Sequence, residues 1–148
     1  MTNASNEITG ARYLAEQIKN VGLTHVFFID AILRRTLIDL EELGIERVLV
    51  HAEKSAAYMA DAYARINNGI GVCMAQSVGA ANLAAGLQDA YLHRSPVLAL
   101  TGRKEPAFQY RNAYQEVEHW PLFEPVTKFQ ANVDEAGDLP RLLAQAMR

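Results

Sequence analysis

The chain contains a single cysteine, Cys73, among its 148 residues, so no disulfide can close within it. Cys73 stands in the apolar run GVCMA, the setting of a buried structural thiol; a nucleophilic thiol needs a polar, partly exposed pocket. Runs of basic residues are missing as well. The formal net charge is -3, and the electrostatic footprint of a nucleic-acid binder is absent. No apolar stretch approaches the ~20 residues a membrane helix requires, and the opening MTNASNE is polar where a secretory signal needs an apolar segment. There is no repeat and no low-complexity tract. Neither GxGxxG nor the P-loop pattern occurs. No GxSxG elbow surrounds Ser77, which leaves a triad of Ser77, His51 and Asp30 without support. His51, His93 and His119 share no metal-ligand spacing with one another or with Cys73. What remains is an ordinary globular composition, 50% hydrophobic and 21% charged. It is long enough for one domain with one core, and cytoplasmic residence is expected.

What is present is an alternation of helical and strand periods. From Glu7 to Val21, Ala11, Leu14, Ile18 and Val21 share a helical face, with Gly22 as the expected C-cap. His25–Ile29 is rich in β-branched and aromatic residues and predicts a buried strand. Leu33–Leu43 is helical and ends at Gly44; Arg47–Val50 follows as a strand. Ser55–Ile66 is an alanine-rich helix closed by Asn67-Asn68-Gly69. Ile70–Ala75, Ala80–Leu92 and Pro96–Thr101 continue as strand, helix and strand. Beyond a long polar stretch, Val126–Val133 is expected as a strand and Leu139–Met147 as a helix. Strands separated by helices of this length imply βαβ crossovers, hence an α/β fold with a parallel sheet covered on both faces. Ligands of such sheets gather beyond the carboxyl ends of the strands. Here those ends carry Asp30, His51-Ala52-Glu53, Gln76-Ser77 and Thr101-Gly102.

Two places among them hold candidate chemistry. Glu53 lies where a strand hands over to a helix, and backbone N–H groups there favour a carboxylate. By spacing alone Glu53 is equally a first-turn residue answering the helix dipole. Ala57, Ala60 and Ala64 follow it on a face of methyl groups that admits close approach, while Lys54, Tyr58, Asp61 and Arg65 form a more polar face. The second place is Ser77-Val78-Gly79-Ala80-Ala81-Asn82, between a strand and a small-residue helix. It reads either as backbone N–H groups presented to a ligand or as a tight turn with helices packed closely through Gly79 and Gly86. In the long loop, Trp120-Pro121-Leu122-Phe123 is an apolar cluster that either packs the loop down or meets a partner subunit.

Three strings, in order, carry a resemblance: HAEKSAAYMADAYAR, SVGAANLAAGLQDAYLHRSPVLALTG and AYQEVEHWPLFEPVTKF. From about Ile8 to Met147 the chain resembles the N-terminal, aminopyrimidine-binding (PYR) domain of acetolactate synthase-like, thiamine-diphosphate-dependent enzymes. That group includes the benzoylformate, pyruvate and oxalyl-CoA decarboxylases. The resemblance implies that Glu53 binds N1′ of the cofactor's aminopyrimidine and that Gln115 reaches the active site. It places Ser77, Gly79 and Asn82 in the turn beside the pyrimidine. It implies decarboxylation or carboligation of a 2-oxo acid, with thiamine diphosphate held here only by its aminopyrimidine end. The diphosphate and Mg²⁺ are expected on a partner domain carrying a GDG…NN motif. None is found here; Gly137-Asp138-Leu139 lacks the second glycine and the asparagines. That domain would belong to another subunit or to the remainder of the protein, and a homodimer is expected, joined through the helices at Ala56–Ala64 and Ala80–Ala90.

The chain also departs from the family pattern. Ala52 precedes the glutamate where histidine is frequent, and His51 stands one place earlier. Phe28-Ile29-Asp30-Ala31-Ile32 replaces a glycine-rich turn, and Val78-Gly79 replaces a proline-glycine pair. A helix that runs to Arg148 without a cap, where the family continues into another strand, leads to the expectation of one PYR domain over 1–148, truncated near its C-terminus. On its own such a chain is expected to be inactive. The alternative is a non-catalytic dimerisation or assembly module of the same fold.

Overall fold

A computed structural model describes residues 7–30 and 33–148; Ala31 and Ile32 of the first loop lie outside them. Four short strands form one parallel sheet: β1 (His25–Phe28), β2 (Glu46–Leu49), β3 (Gly71–Ala75) and β4 (Val97–Thr101), in the order β2-β1-β3-β4. In the register, Phe27 lies beside Cys73 and Val48, and Cys73 beside Ala99. The chain moves from β1 outwards to β2, then crosses back to β3 and on to β4. Its direction therefore reverses between β1 and β3, and the crevice beyond their carboxyl ends is where open α/β sheets bind ligands.

Period-two alternation decides which side chain meets which layer. Val26, Phe28, Val72, Met74 and Leu98 point to one face, with Leu14, Ile18, Leu37 and Leu40 of α1 (Gly10–Asn20) and α2 (Arg34–Glu42). Phe27, Cys73 and Ala75 point to the other, under α3 (Glu53–Asn67) and α4 (Gly79–His93). All five residues of β3 are buried, as a central parallel strand covered on both faces requires. The expected punctuation is present. Gly22 and Gly44 adopt left-handed conformations (φ 79° and 75°) and return their N–H groups to Lys19 and Glu41 carbonyls. Asn68 closes α3 in the same way at φ 51°.

The second face owes its closeness to missing side chains. A β-carbon on Gly86 would lie 2.7 Å from the Lys54 carbonyl oxygen and 2.8 Å from Ala57 Cβ. One on Gly71 would lie 2.0 Å from the Ala60 carbonyl oxygen. Helix α3 thus rests directly on α4 and on β3 through alanines and glycines, and the methyl face expected of Ala57, Ala60 and Ala64 is buried. Asp61, placed on the polar face, is buried too, and Arg65 binds both of its oxygens at 2.8 and 2.7 Å.

The expectation of a strand at Val126–Val133 is overturned. The segment begins at the end of a 3₁₀ turn (Glu124–Val126) and then runs without a sheet partner. A cavity of about 520 Å³ lies between it and β4, lined by Leu98, Leu100, Phe129, Val133, Leu139 and Leu143. Its alternation is that of a strand, but a strand exists only through ladder hydrogen bonds to a neighbour. The long loop holds structure that periodicity did not disclose: short 3₁₀ turns at Pro106–Phe108 and Ala136–Asp138 and one helical turn, α5 (Trp120–Phe123). In α5 the cluster packs the loop down through two of its residues. Phe123 is buried and Leu122 packs on the α3–α4 core, while Trp120 stays exposed. The last helix, α6 (Leu139–Ala146), seats Leu143 in the α1–α2 core.

Candidate active site

Strand β2 ends at Leu49, and three residues later Ala52 takes an extended conformation (φ -151°, ψ 145°) that turns the chain into α3. Glu53 is the first helical residue. Its carboxylate points across to the start of α4, where Asn82 Nδ2 donates to Oε2 at 3.2 Å. Oε1 lies over Gly79: a β-carbon there would stand 2.4 Å from it, and 2.9 Å from both Cδ and Cγ. Only a glycine leaves room for the acid. Glu53, Gly79 and Asn82 are therefore brought together, a grouping set by two helix N-termini lying side by side.

Ser77 and Gln115 form a second grouping. The turn between β3 and α4 closes with Ala80 N–H bonded to the carbonyls of Gln76 and Ser77. The buried Ser77 hydroxyl donates to the Gln115 backbone carbonyl. Gln115 belongs to a loop with three non-glycine residues in the left-handed region, Tyr110, Asn112 and Gln115 (φ 61°, 52° and 62°). Such conformations cost about 1–2 kcal/mol each, so the surroundings must impose them. Glu116 does much of this: its carboxylate accepts backbone N–H groups of Tyr110, Arg111 and Ala113. Those bonds, that from Tyr110 first, hold its carboxyl below the usual carboxylate range. A cavity of about 360 Å³ opens here, lined by Ser77, Arg103, Gln109, Tyr110, Glu116 and Glu118.

The remaining candidates fall outside both groupings. His51 is exposed beyond β2, and Asp30 is ion-paired with Arg34 at 3.3 Å. Cys73 is fully buried and its thiol is pushed up to about 12 by burial, the condition of an inert structural thiol. Sequence reasoning passed over one residue, His119. It is buried between the β3–α4 turn and the end of β4, with Nε2 2.9 Å from the Ser77 carbonyl oxygen and Nδ1 3.2 Å from Thr101 Oγ1. A lone histidine next to an apolar cluster carries no spacing signal, and only the tertiary contacts identify it.

A carboxyl oxygen without a side-chain partner among the described residues stands at the carboxyl ends of the strands next to the switch point, and in its protonated form it can donate to a ring nitrogen acceptor. Comparison with known proteins identifies the family. Residues 8–122 match the family model described as the thiamine pyrophosphate enzyme, N-terminal TPP binding domain. The chain is 36% identical over 149 residues to an acetolactate synthase of Arthrospira platensis, covering 97% of this chain and 26% of the relative. It is 37% identical over 148 residues to an acetolactate synthase large subunit of Pyropia yezoensis (96% and 25%). It is 33% identical over 141 residues to the acetolactate synthase of Bacillus subtilis strain 168 (94% and 25%). The chain thus spans about a quarter of the length of these curated relatives.

Proposed function

Because the chain belongs to the thiamine pyrophosphate enzyme family as an N-terminal TPP-binding domain, we propose that it supplies the aminopyrimidine-binding half of an active site for 2-oxo acids. Glu53 is the acid of that site. One observation carries the reading: the Glu53 carboxyl group is fixed over Gly79 by Asn82, leaving Oε1 without a side-chain partner among the described residues. Thiamine diphosphate supplies a carbon nucleophile for the keto group of the substrate and a sink for the electrons released with CO₂.

The chain's own residues do the rest. Glu53 would present a protonated carboxyl oxygen to the pyrimidine ring nitrogen, the task of a positioned general acid. Asn82 fixes its orientation, and Gly79 leaves the room in which its carboxyl group lies. Ser77 sets the turn, and Gln115 overhangs it from the loop. The diphosphate and Mg²⁺ belong to a partner domain, in line with the three quarters of the relatives' length that this chain does not cover. The outer face of α4 offers a stripe of exposed Val78, Ala81, Ala85 and Leu92, with Tyr58, Met59 and Ile66 exposed on α3. A second subunit of a homodimer would bury it.

The test is Glu53→Gln in the complete enzyme, with exchange of the cofactor's thiazolium C2 proton followed by NMR. A fall of about 10²–10⁴-fold is expected, the contribution of one positioned acid; an unchanged rate sinks the assignment. If the complete wild-type protein binds no cofactor in a spectroscopic titration, the non-catalytic assembly module is the better reading.

A further inference from the structure

His119 has no place in that scheme, yet it sits at its mechanical centre. Its imidazole touches three separate segments. Nε2 is 2.9 Å from the carbonyl oxygen of Ser77 in the β3–α4 turn, and Nδ1 is 3.2 Å from the hydroxyl of Thr101 at the end of β4. Its ring packs edge-on against Phe123 of α5, with centroids 6.2 Å apart and planes at 71°. The partners determine the proton. A carbonyl oxygen only accepts, so Nε2 carries the hydrogen; Nδ1 is then bare and accepts from the Thr101 hydroxyl. Burial keeps the ring neutral, lowering its pKa; Arg103 acts in the same sense, while the Ser77 bond and Glu118 oppose it.

The contact has a second link. The residue whose carbonyl His119 holds is the one whose hydroxyl reaches the Gln115 carbonyl. Through Ser77, one imidazole therefore couples the Gln115 loop to the turn that opens into Gly79, and Gly79 is the surface on which Glu53 rests. The loop needs such an anchor. Left-handed conformations at Tyr110, Asn112 and Gln115 are held internally by Glu116, but those bonds tie the loop only to itself. The Ser77 hydroxyl bond attaches it to the β3–α4 turn, beside a longer contact from Arg103 to the Tyr110 hydroxyl at 3.4 Å, and His119 holds Ser77.

We propose that His119 is a positioning residue, a neutral Nε2–H clasp that locks the β3–α4 turn to the Gln115 loop and so sets Gln115 relative to Glu53. Its structural part stands on contacts alone; its catalytic consequence rests on the proposed role of Glu53. His119→Gln retains an amide N–H able to reach the Ser77 carbonyl, whereas His119→Leu retains bulk without a donor.

The experiment compares both variants with wild type in the complete protein, without cofactor. Two-bond ¹H–¹⁵N spectra should show His119 as the Nε2–H tautomer near neutral pH. In His119→Leu, amide hydrogen exchange should quicken about 3- to 10-fold across Tyr110–Glu116 and at Ser77, the factor that corresponds to one hydrogen bond. Amides of β1 and α1 should keep their wild-type rates, and His119→Gln should restore much of the protection. An Nδ1–H tautomer overturns the proposal, as does unaltered loop exchange. Uniform acceleration throughout the molecule also overturns it, since that marks a general stability residue. These readouts need no cofactor, so failure of the Glu53 assignment in the C2-exchange assay leaves them standing, and the reverse.

Discussion

Replacing Gly79 with alanine should leave the protein folded while dislodging Glu53. The added β-carbon would lie 2.4 Å from Glu53 Oε1 and 2.9 Å from Cδ and Cγ, all atoms of a long side chain that rotates away. Alanine in a helix is favoured over glycine by about 0.5–1 kcal/mol. Losing the Asn82–Glu53 hydrogen bond costs about 0.5–1.5 kcal/mol. The two offset, and the midpoint of urea unfolding should imply a change within about 1 kcal/mol. Gly71→Ala is the contrast. Its β-carbon would stand 2.0 Å from the Ala60 carbonyl oxygen, backbone inside α3 that cannot rotate aside. Here the helix must lift from β3, at a cost of about 1–3 kcal/mol or more. Function should sort the other way. In the complete enzyme, Gly79→Ala should depress cofactor C2-proton exchange by about 10²-fold or more, while Gly71→Ala, whose clash falls at Ala60 and not at Glu53, should depress it less. Gly79→Ala with unchanged exchange, or with a stability loss equal to that of Gly71→Ala, would show that Glu53 does not depend on the space over Gly79.

Other measurements follow from the same coordinates. Cys73, buried with its thiol pushed up to about 12, should resist a thiol reagent at pH 8 until denaturant is added; labelling of the native protein would contradict the burial. Asp61 is raised by its own burial, but hydrogen bonds from Arg65 and Ser95 outweigh this and leave its carboxyl below the ordinary range. Its stabilisation is therefore complete above pH ~4 and lost as pH falls through the lowered value; Asp61→Asn should flatten the acid limb of a stability-versus-pH curve. His119 has the same sign for a different reason. Burial depresses a base, so the folded state binds fewer protons, and stability is full above the ordinary value near 6.5 and declines as pH drops below it. In His119→Gln that decline below pH ~6.5 should shrink, and thermal melts on either side of it would report the change. Glu116→Gln weakens acceptance of three backbone N–H groups, and limited proteolysis should then cut within Tyr110–Ala113 faster than in wild type.

Much of the architecture was legible in the residues because it depends on local periodicity. The eight elements from α1 to β4 fall within a few residues of the positions that hydrophobic spacing and glycine or Asn-Asn-Gly punctuation predict, since face, period and turn chemistry are properties of neighbouring residues. The failure at Val126–Val133 has a complementary cause: alternation prepares a segment for a ladder, but the partner lies elsewhere in the fold. Asp61 shows the same limit. Spacing put it on a polar face, and the packing of α3 buried it against Arg65.

The candidate site divides along the same line. Three ordered motifs were enough to single out Glu53, Ser77, Gly79, Asn82 and Gln115, and the match of residues 8–122 to the family agrees with the motifs. Spacing alone left Glu53 as a possible helix-dipole residue and the Ser77–Asn82 turn as a possible packing device. The tertiary structure makes the second alternative part of the first, because the close packing that Gly79 permits is what brings the Glu53 carboxyl against α4. The bond from Ser77 to Gln115 spans 38 residues, and that from His119 to Ser77 spans 42. The order of residues was enough for the elements from α1 to β4 and for the family, and it singled out Glu53 as the acid we propose. The tertiary structure alone fixes which atoms Glu53 faces and which histidine contacts Ser77 beside the Gln115 loop, because contacts across such separations follow from layer packing and leave no local period.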